Sequence, residues 1–174
     1  ENADPKTNGG SYVRRDGHTI MVGSFCGTLV GCPSSPQVSC EDEAKRANVD
    51  IFVLEIDDVG NCLYARSYGA LTSTEDAFAV AAADDRVAIV GSHNGDLSFG
   101  GAPISPEQPL MRSTFVAALG PSGAGEAALS LHQDVAASVM FDDGNVRFSG
   151  AIGLPLRGKG AREAQGMLDF VAAQ

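Results

Sequence analysis

Apolar residues in this chain fall in short runs of about five to seven, each bounded by Asp, Asn, Gly or Pro, which is the pattern of strands joined by tight turns. Three runs read as opening strands: Ser11-Tyr-Val-Arg-Arg, Phe78-Ala-Val-Ala-Ala-Ala and Ala137-Ser-Val-Met-Phe. An acidic turn follows each of them, Asp16-Gly17, Asp84-Asp85 and Asp142-Asp143-Gly144-Asn145. Such residues tolerate left-handed backbone or bond their own amides. Second strands are Thr19-Ile-Met-Val-Gly-Ser-Phe25, Val87-Ala-Ile-Val-Gly-Ser-His93 and Val146-Arg-Phe-Ser-Gly-Ala-Ile152. Third strands carry a Phe-Val pair, in Asp50-Ile-Phe-Val-Leu, Ser113-Thr-Phe-Val-Ala and Leu168-Asp-Phe-Val-Ala. Cys62-Leu-Tyr-Ala-Arg-Ser-Tyr68 and Glu126-Ala-Ala-Leu-Ser-Leu131 supply fourth strands. The expectation is all-β.

The same landmarks recur in the same order, which is the signature of an internal repeat. Gly23, Gly91 and Gly150 align, as do Phe52, Phe115 and Phe170, and unequal spacing between copies marks loop insertions. The expected units are residues 11–71, 72–133 and 134–174, behind a polar tail at residues 1–10. Between second and third strands each copy makes an excursion. Ser39 caps one or two helical turns through Ala47, with Glu41–Lys45 and Asp42–Arg46 paired at i,i+4. Residues 160–165 match it in the third copy, and Ser105-Pro-Glu-Gln-Pro109 replaces it in the second.

A four-stranded antiparallel unit repeated in tandem is the blade of a β-propeller. Asp50-Ile-Phe-Val-Leu-Glu-Ile-Asp57-Asp-Val-Gly60-Asn61 and Gly91-Ser-His-Asn-Gly95-Asp-Leu-Ser-Phe99-Gly100-Gly101 resemble the SBBP-type bacterial β-propeller repeats over residues 11–174. The resemblance implies about three blades of an incomplete ring in a secreted or cell-surface protein of the kind common in myxobacteria. It departs at the fourth-strand aromatic, which is Tyr64 in the first copy but Ala127 in the second, and at the third copy's Gly-Gly, of which Gly158 alone remains. Such a family is defined by architecture, so it implies little about activity.

Composition narrows the partners. With 12 Lys+Arg against 22 Asp+Glu the net charge is −10, which repels phosphate backbones and excludes nucleic-acid binding as a main role. No apolar run reaches the roughly 20 residues of a membrane span. Cys26, Cys32, Cys40 and Cys62 lack the paired spacing of a zinc knuckle, and an even count in an acidic Ser- and Gly-rich chain suggests disulfides outside the cytoplasm. Of the three pairings, Cys32–Cys40 is favoured because Cys-Pro-Ser-Ser-Pro-Gln-Val-Ser-Cys reads as a stapled loop, which leaves Cys26–Cys62.

Candidate chemistry is sparse, and no cofactor, metal or catalytic residue is assigned. His93 aligns with Phe25 and Ile152, so it is expected to be a packed structural residue; His18 aligns with Arg86 and Asn145 as a solvated turn position, and His132 follows a fourth strand. Asp57-Asp58, Asp84-Asp85 and Asp142-Asp143 lie in turns, where Asp caps backbone, and none forms a calcium loop. Gly95–Gly101 lacks the Lys-Ser/Thr of a phosphate loop and reads as a turn. The expected function is a non-catalytic binding or structural module at the cell surface, engaging protein or glycan. The alternative is an extracellular hydrolase or lyase with Asp84 and Asp142 around a channel. The third copy stops before a fourth strand, which leaves Phe170 and Val171 on an open edge. Other chains, or the rest of a longer parent protein, are therefore expected to complete the ring.

Overall fold

The computed structural model describes residues 6–28, 32, 37–38, 49–70, 73–106, 108, 111–131, 135–152 and 168–170. The helical turns expected over 39–47 and 160–165 lie outside them, as do Cys40, His132 and Val171. Twelve strands run in chain order: β1 Lys6–Arg15, β2 His18–Thr28, β3 Gln37–Val38, β4 Asp50–Ile56, β5 Cys62–Tyr68, β6 Glu75–Ala83, β7 Arg86–His93, β8 Ser113–Leu119, β9 Gly125–Leu131, β10 Val135–Asp142, β11 Asn145–Ile152 and β12 Leu168–Phe170. Among the described residues the only helical element is a single 3-10 turn, Pro121–Gly123.

The strands form three antiparallel meanders: β1-β2-β4-β5, with the short β3 also on β2; β6-β7-β8-β9; and β10-β11-β12. Two-residue turns close the first hairpin of each, through the pairs Arg15↔His18, Ala83↔Arg86 and Asp142↔Asn145. The leading turn residue is a left-handed aspartate every time: Asp16 at φ 50°, Asp84 at φ 50° and Asp143 at φ 48°. The short polar side chain of Asp, able to bond local backbone, makes that conformation tolerable, and the twist of such a turn matches the twist of the strands it joins.

The first strand starts earlier than expected. Lys6 pairs with Cys26 and Thr7 with Phe25, so residues 6–10 of the polar tail are strand, with a bulge between Asn8 and Gly10. Polar residues suffice there because the ladder is held by backbone hydrogen bonds. A second correction concerns the third copy. Phe52 pairs with Gly23 and Phe115 with Gly91, but Phe170 pairs with Val146 rather than Gly150. The Phe-Val landmark therefore does not keep its register in the third sheet. Landmark alignment assumes equal loop geometry, and register depends on where the returning strand docks.

Burial separates the sheets. Strand β4 alternates, with Ile51, Val53 and Glu55 buried and their neighbours half-buried, as expected for one covered face. Strand β8 is buried at every position and β7 at all but its first. The second sheet is covered on both faces. Val87, Ile89, Phe115, Ala117 and Leu119 meet Ile20, Val22, Ile51 and Val53 of the first sheet. On the reverse face Ala88, Val90, Val116 and Ala118 meet Val146 and Phe148 of the third. Strands β7 and β8 turn their larger apolar side chains to the first junction and only smaller ones, Ala and Val, to the second, so their continuous apolar runs record strands that face no water. The Gly95–Gly101 segment is a tight loop, as expected: Leu97 and Ile104 exchange both backbone hydrogen bonds at 2.9 Å. Its Leu97 and Phe99 plug into the first junction, where the Phe99 ring lies 4.9 Å from Tyr68 and 5.3 Å from Phe115.

Candidate functional site

At the turn end of the first junction a cleft of about 230 Å³ opens between the two sheets. Arg15, Glu55, Leu63 and Tyr64 line it from the first sheet, and Asp85, Gly120, Pro121 and Ser122 from the second. The wall at Pro121–Gly123 is gripped from across the junction. Arg66 donates from Nε to the Ser122 carbonyl at 3.1 Å, and the Tyr68 hydroxyl donates to the Gly123 carbonyl. Ser122 at φ 56° and Gly123 at φ 75° give this turn its sharp reversal.

Glu55 is the centre of the site. It occupies the inward phase of β4, after Ile51 and Val53, and its side chain is only 8% exposed. A carboxylate there needs compensation, and three side chains supply it. His18 donates from Nδ1 to Oε1 at 2.7 Å, and Arg15 donates from Nη2 to the same oxygen at 3.4 Å. Tyr64, its partner across β4 and β5, is pushed up to about 12 by burial and then by the negative charge of Glu55, to which its hydroxyl bonds. Arg15 also reaches the Arg86 carbonyl on the second sheet at 3.3 Å. Arg86, the positional equivalent of His18, bonds the Glu126 carboxylate at 2.9 Å and the Gly144 carbonyl of the third sheet at 2.9 Å. Its guanidinium also sits 5.7 Å from the Phe141 ring centre. The turn end is thus a chain of charge-assisted bonds that spans all three sheets.

The expectation of a solvated His18 is corrected: the imidazole is held by Glu55 and its side chain is 39% exposed. His93 is a packed structural residue, fully buried, with Nδ1 on the Gly95 carbonyl at 2.7 Å and Nε2 on the Ser130 hydroxyl at 2.8 Å. Asp57 caps its turn through the amides of Val59 and Asn61 at 3.0 and 2.7 Å, and the Asn61 side-chain bond leads in holding its carboxyl below the usual range. Asp84 is the exposed corner of one turn, and Asp142 pairs with Arg147 at 2.6 Å on the third sheet.

Both favoured cysteine pairings are overturned. Cys32 is bonded to Cys62, with 5.1 Å between their Cα atoms, and Cys26 is disulfide-bonded as well. The staple therefore joins the β2–β4 excursion to the start of β5 instead of closing the short Pro-rich loop. Proximity in sequence was the basis for Cys32–Cys40, and sheet pairing outweighs it. Phe170 sits in β12, the last strand of the third sheet's order.

Sequence patterns missed Arg15 and Glu55, and marked Tyr64 only as a fourth-strand aromatic. One usable signal existed, a charged residue at the inward phase of an alternating strand, as Glu55 stands after Ile51 and Val53. No protein-family model matches the chain, and no curated protein matches it. Among the described residues no group of three or more His, Cys, Asp or Glu is placed to hold a metal ion, and no helix is long and apolar enough to cross a membrane.

Proposed function

We propose that the chain is a β-propeller repeat module of an extracytoplasmic protein and acts by binding rather than by catalysis. The single observation that carries the architectural reading is the second sheet, covered on both faces by meanders of the same connectivity. The first strands β1, β6 and β10 pack in succession, as strands nearest a propeller axis do. The Cys32–Cys62 bond is compatible with an oxidising compartment. Other chains, or further repeats of a parent protein, complete the ring in this reading. The resemblance to SBBP-type repeats remains part of the proposal.

The binding role centres on the cleft between the first two sheets, and its ligand is a neutral sugar ring of a glycan. Leu63, Tyr64 and Pro121 offer apolar walls, while Arg15 donates, Asp85 accepts and Ser122 can do both. A space of about 230 Å³ is below the size of a pocket for an extended ligand and suits one ring. Glu55, Asp85 and a net charge of −10 disfavour uronic or phosphorylated sugars. The hydrolase or lyase alternative draws on one specific observation, the Glu55–His18 pair, since a carboxylate on Nδ1 leaves Nε2 free to accept a proton.

NMR titration with neutral and anionic oligosaccharides tests the reading. Neutral ligands are expected to perturb amides around Asp85 and Gly120–Ser122 saturably, and Asp85→Ala is expected to weaken binding about tenfold, the loss of one hydrogen bond to a sugar hydroxyl. No perturbation at tens of millimolar, or equal binding by Asp85→Ala, refutes the cleft as the site. Mass spectrometry of the recovered sugars separates binding from cleavage, and shortened products would favour the hydrolase.

A further inference from the structure

We propose that Glu75 is a proton-operated latch on the junction between the first and second sheets: as a neutral acid it is sealed inside, and on ionising it loosens that junction alone. Glu75 opens β6 at the end of the sheets opposite the cleft. Its amide donates to the Val49 carbonyl at 2.9 Å, beside the parallel bridge between Val49 and Thr74. The first residue of the second sheet is thereby bonded into the strand that begins β4. The Glu75 side chain is fully buried and neither carboxyl oxygen receives a hydrogen bond of good geometry, the Ser73 hydroxyl beside it donating to the Ala70 carbonyl at 3.3 Å. A buried carboxylate in that condition is among the costliest groups a protein can hold.

The surrounding charges make it worse. Asp50 on β4 is half-buried, its own carboxyl pushed up by burial, and its oxygen lies where a Cβ on Gly69 would stand. Asp76, next along β6, is already held by the Ser24 hydroxyl of β2 at 2.8 Å and by the Arg112 guanidinium. His93 on β7 pairs with Glu75 in the ladder, but its Nδ1 hydrogen goes to a carbonyl and its Nε2 accepts from Ser130. It is a neutral imidazole, and burial pushes its pKa down. Asp96, beyond it, is exposed and also negative. On β1 Arg14 and Arg15 lie at the turn end, and Lys6 pairs with Cys26 at the other end of the strand. Ionised Glu75 would thus face the Asp50 and Asp76 carboxylates, and Arg112 is already paired with Asp76. A proton is the simplest neutraliser: burial above all pushes Glu75 up to about 7, opposed by Ser73 and the Ala70 backbone and reinforced by Asp50 and Asp76.

The sign follows from linkage. The folded state keeps its proton to about pH 7 while the unfolded chain loses it near 4.5, so the contribution to stability is complete below 4.5 and is lost as pH rises through 7. The junction between the second and third sheets is lined by Ala88, Val90, Val116, Ala118, Val146 and Phe148, and among the described residues no buried carboxyl group lies there. In stacked repeats each interface contributes separately, so only the first junction responds.

Hydrogen exchange at pH 5.5 and 8.0, corrected for intrinsic rates, tests this. Protection across residues 49–53 and 74–77 is expected to fall at least tenfold at pH 8.0 relative to residues 145–149, and Glu75→Gln is expected to remove the difference. Unchanged protection, or an equal fall in Glu75→Gln, overturns the latch. Carbon-13 titration of the Glu75 carboxyl in the unaltered protein keeps the test independent of whether the variant folds. A midpoint near 7 supports the proposal, and one in the ordinary carboxylate range overturns it.

Discussion

Gly91→Ala tests why glycine recurs on the second strands. A Cβ on Gly91 would stand 1.9 Å from the Asp76 carbonyl oxygen and 2.6 Å from two carbons of the Phe115 ring. Ordinary contact begins near 3.4 Å, so the Asp76 carbonyl must retreat by more than an ångström and the Phe115 ring by somewhat less. Neither has room. Asp76 is ladder-paired with Ser92 and its side chain is tied to Ser24 and Arg112, while Phe115 is fully buried against Phe99 and Leu97. Overpacking a rigid core costs typically 1–3 kcal/mol, and a backbone obstacle puts this site at the upper end. The stiffer unfolded chain returns roughly 0.4–1 kcal/mol. The expected net loss is about 2 kcal/mol, a large fraction of the roughly 5–15 kcal/mol that holds a domain of this kind. Urea denaturation followed by circular dichroism would read it as a fall in midpoint with unchanged slope. Gly101→Ala is the control, because nothing stands within 4 Å of its Cβ, and it should stay within about 0.5 kcal/mol of the parent. A Gly91→Ala loss below about 1 kcal/mol would refute the reasoning. Combination with Phe115→Leu should recover only part of the loss, because the Asp76 carbonyl remains in place.

The other expectations are shorter. Of the three tyrosines, Tyr64 and Tyr68 are both held up by burial, so absorbance titration should show two phenols that resist ionisation until strongly alkaline pH; Glu55→Gln should bring the Tyr64 midpoint down from about 12, and a single uniform step would contradict the site. Non-reducing peptide mapping should link Cys32 to Cys62, and reduction of that bond, whose residues are 30 apart in sequence, should cost about 3.5 kcal/mol on the chain-entropy account; a Cys32–Cys40 peptide would refute the pairing.

What the sequence determined by itself was local. Runs of β-formers and left-handed turn residues specify strands and hairpins within a few neighbours, so β2, β4, β5, β7, β8, β9 and β11 stand close to where the pattern put them. The shared position of His18, Arg86 and Asn145 at the head of their strands was legible for the same reason. Tertiary structure decided what those strands bring together. A carboxylate at residue 55 meets an imidazole at residue 18 only because β2 and β4 pair in one register with a two-residue turn before them. The choice of Cys62 over Cys40 for Cys32 depends on the return of β5 to the sheet edge. Glu75 reads as an ordinary acid after a Ser-Thr turn until two sheets close over it. The Phe170 landmark kept its residue type and lost its register. Strand and turn preferences act over one to four residues, whereas register, stacking and burial are settled by contacts between residues tens of positions apart. No local pattern encodes those distances.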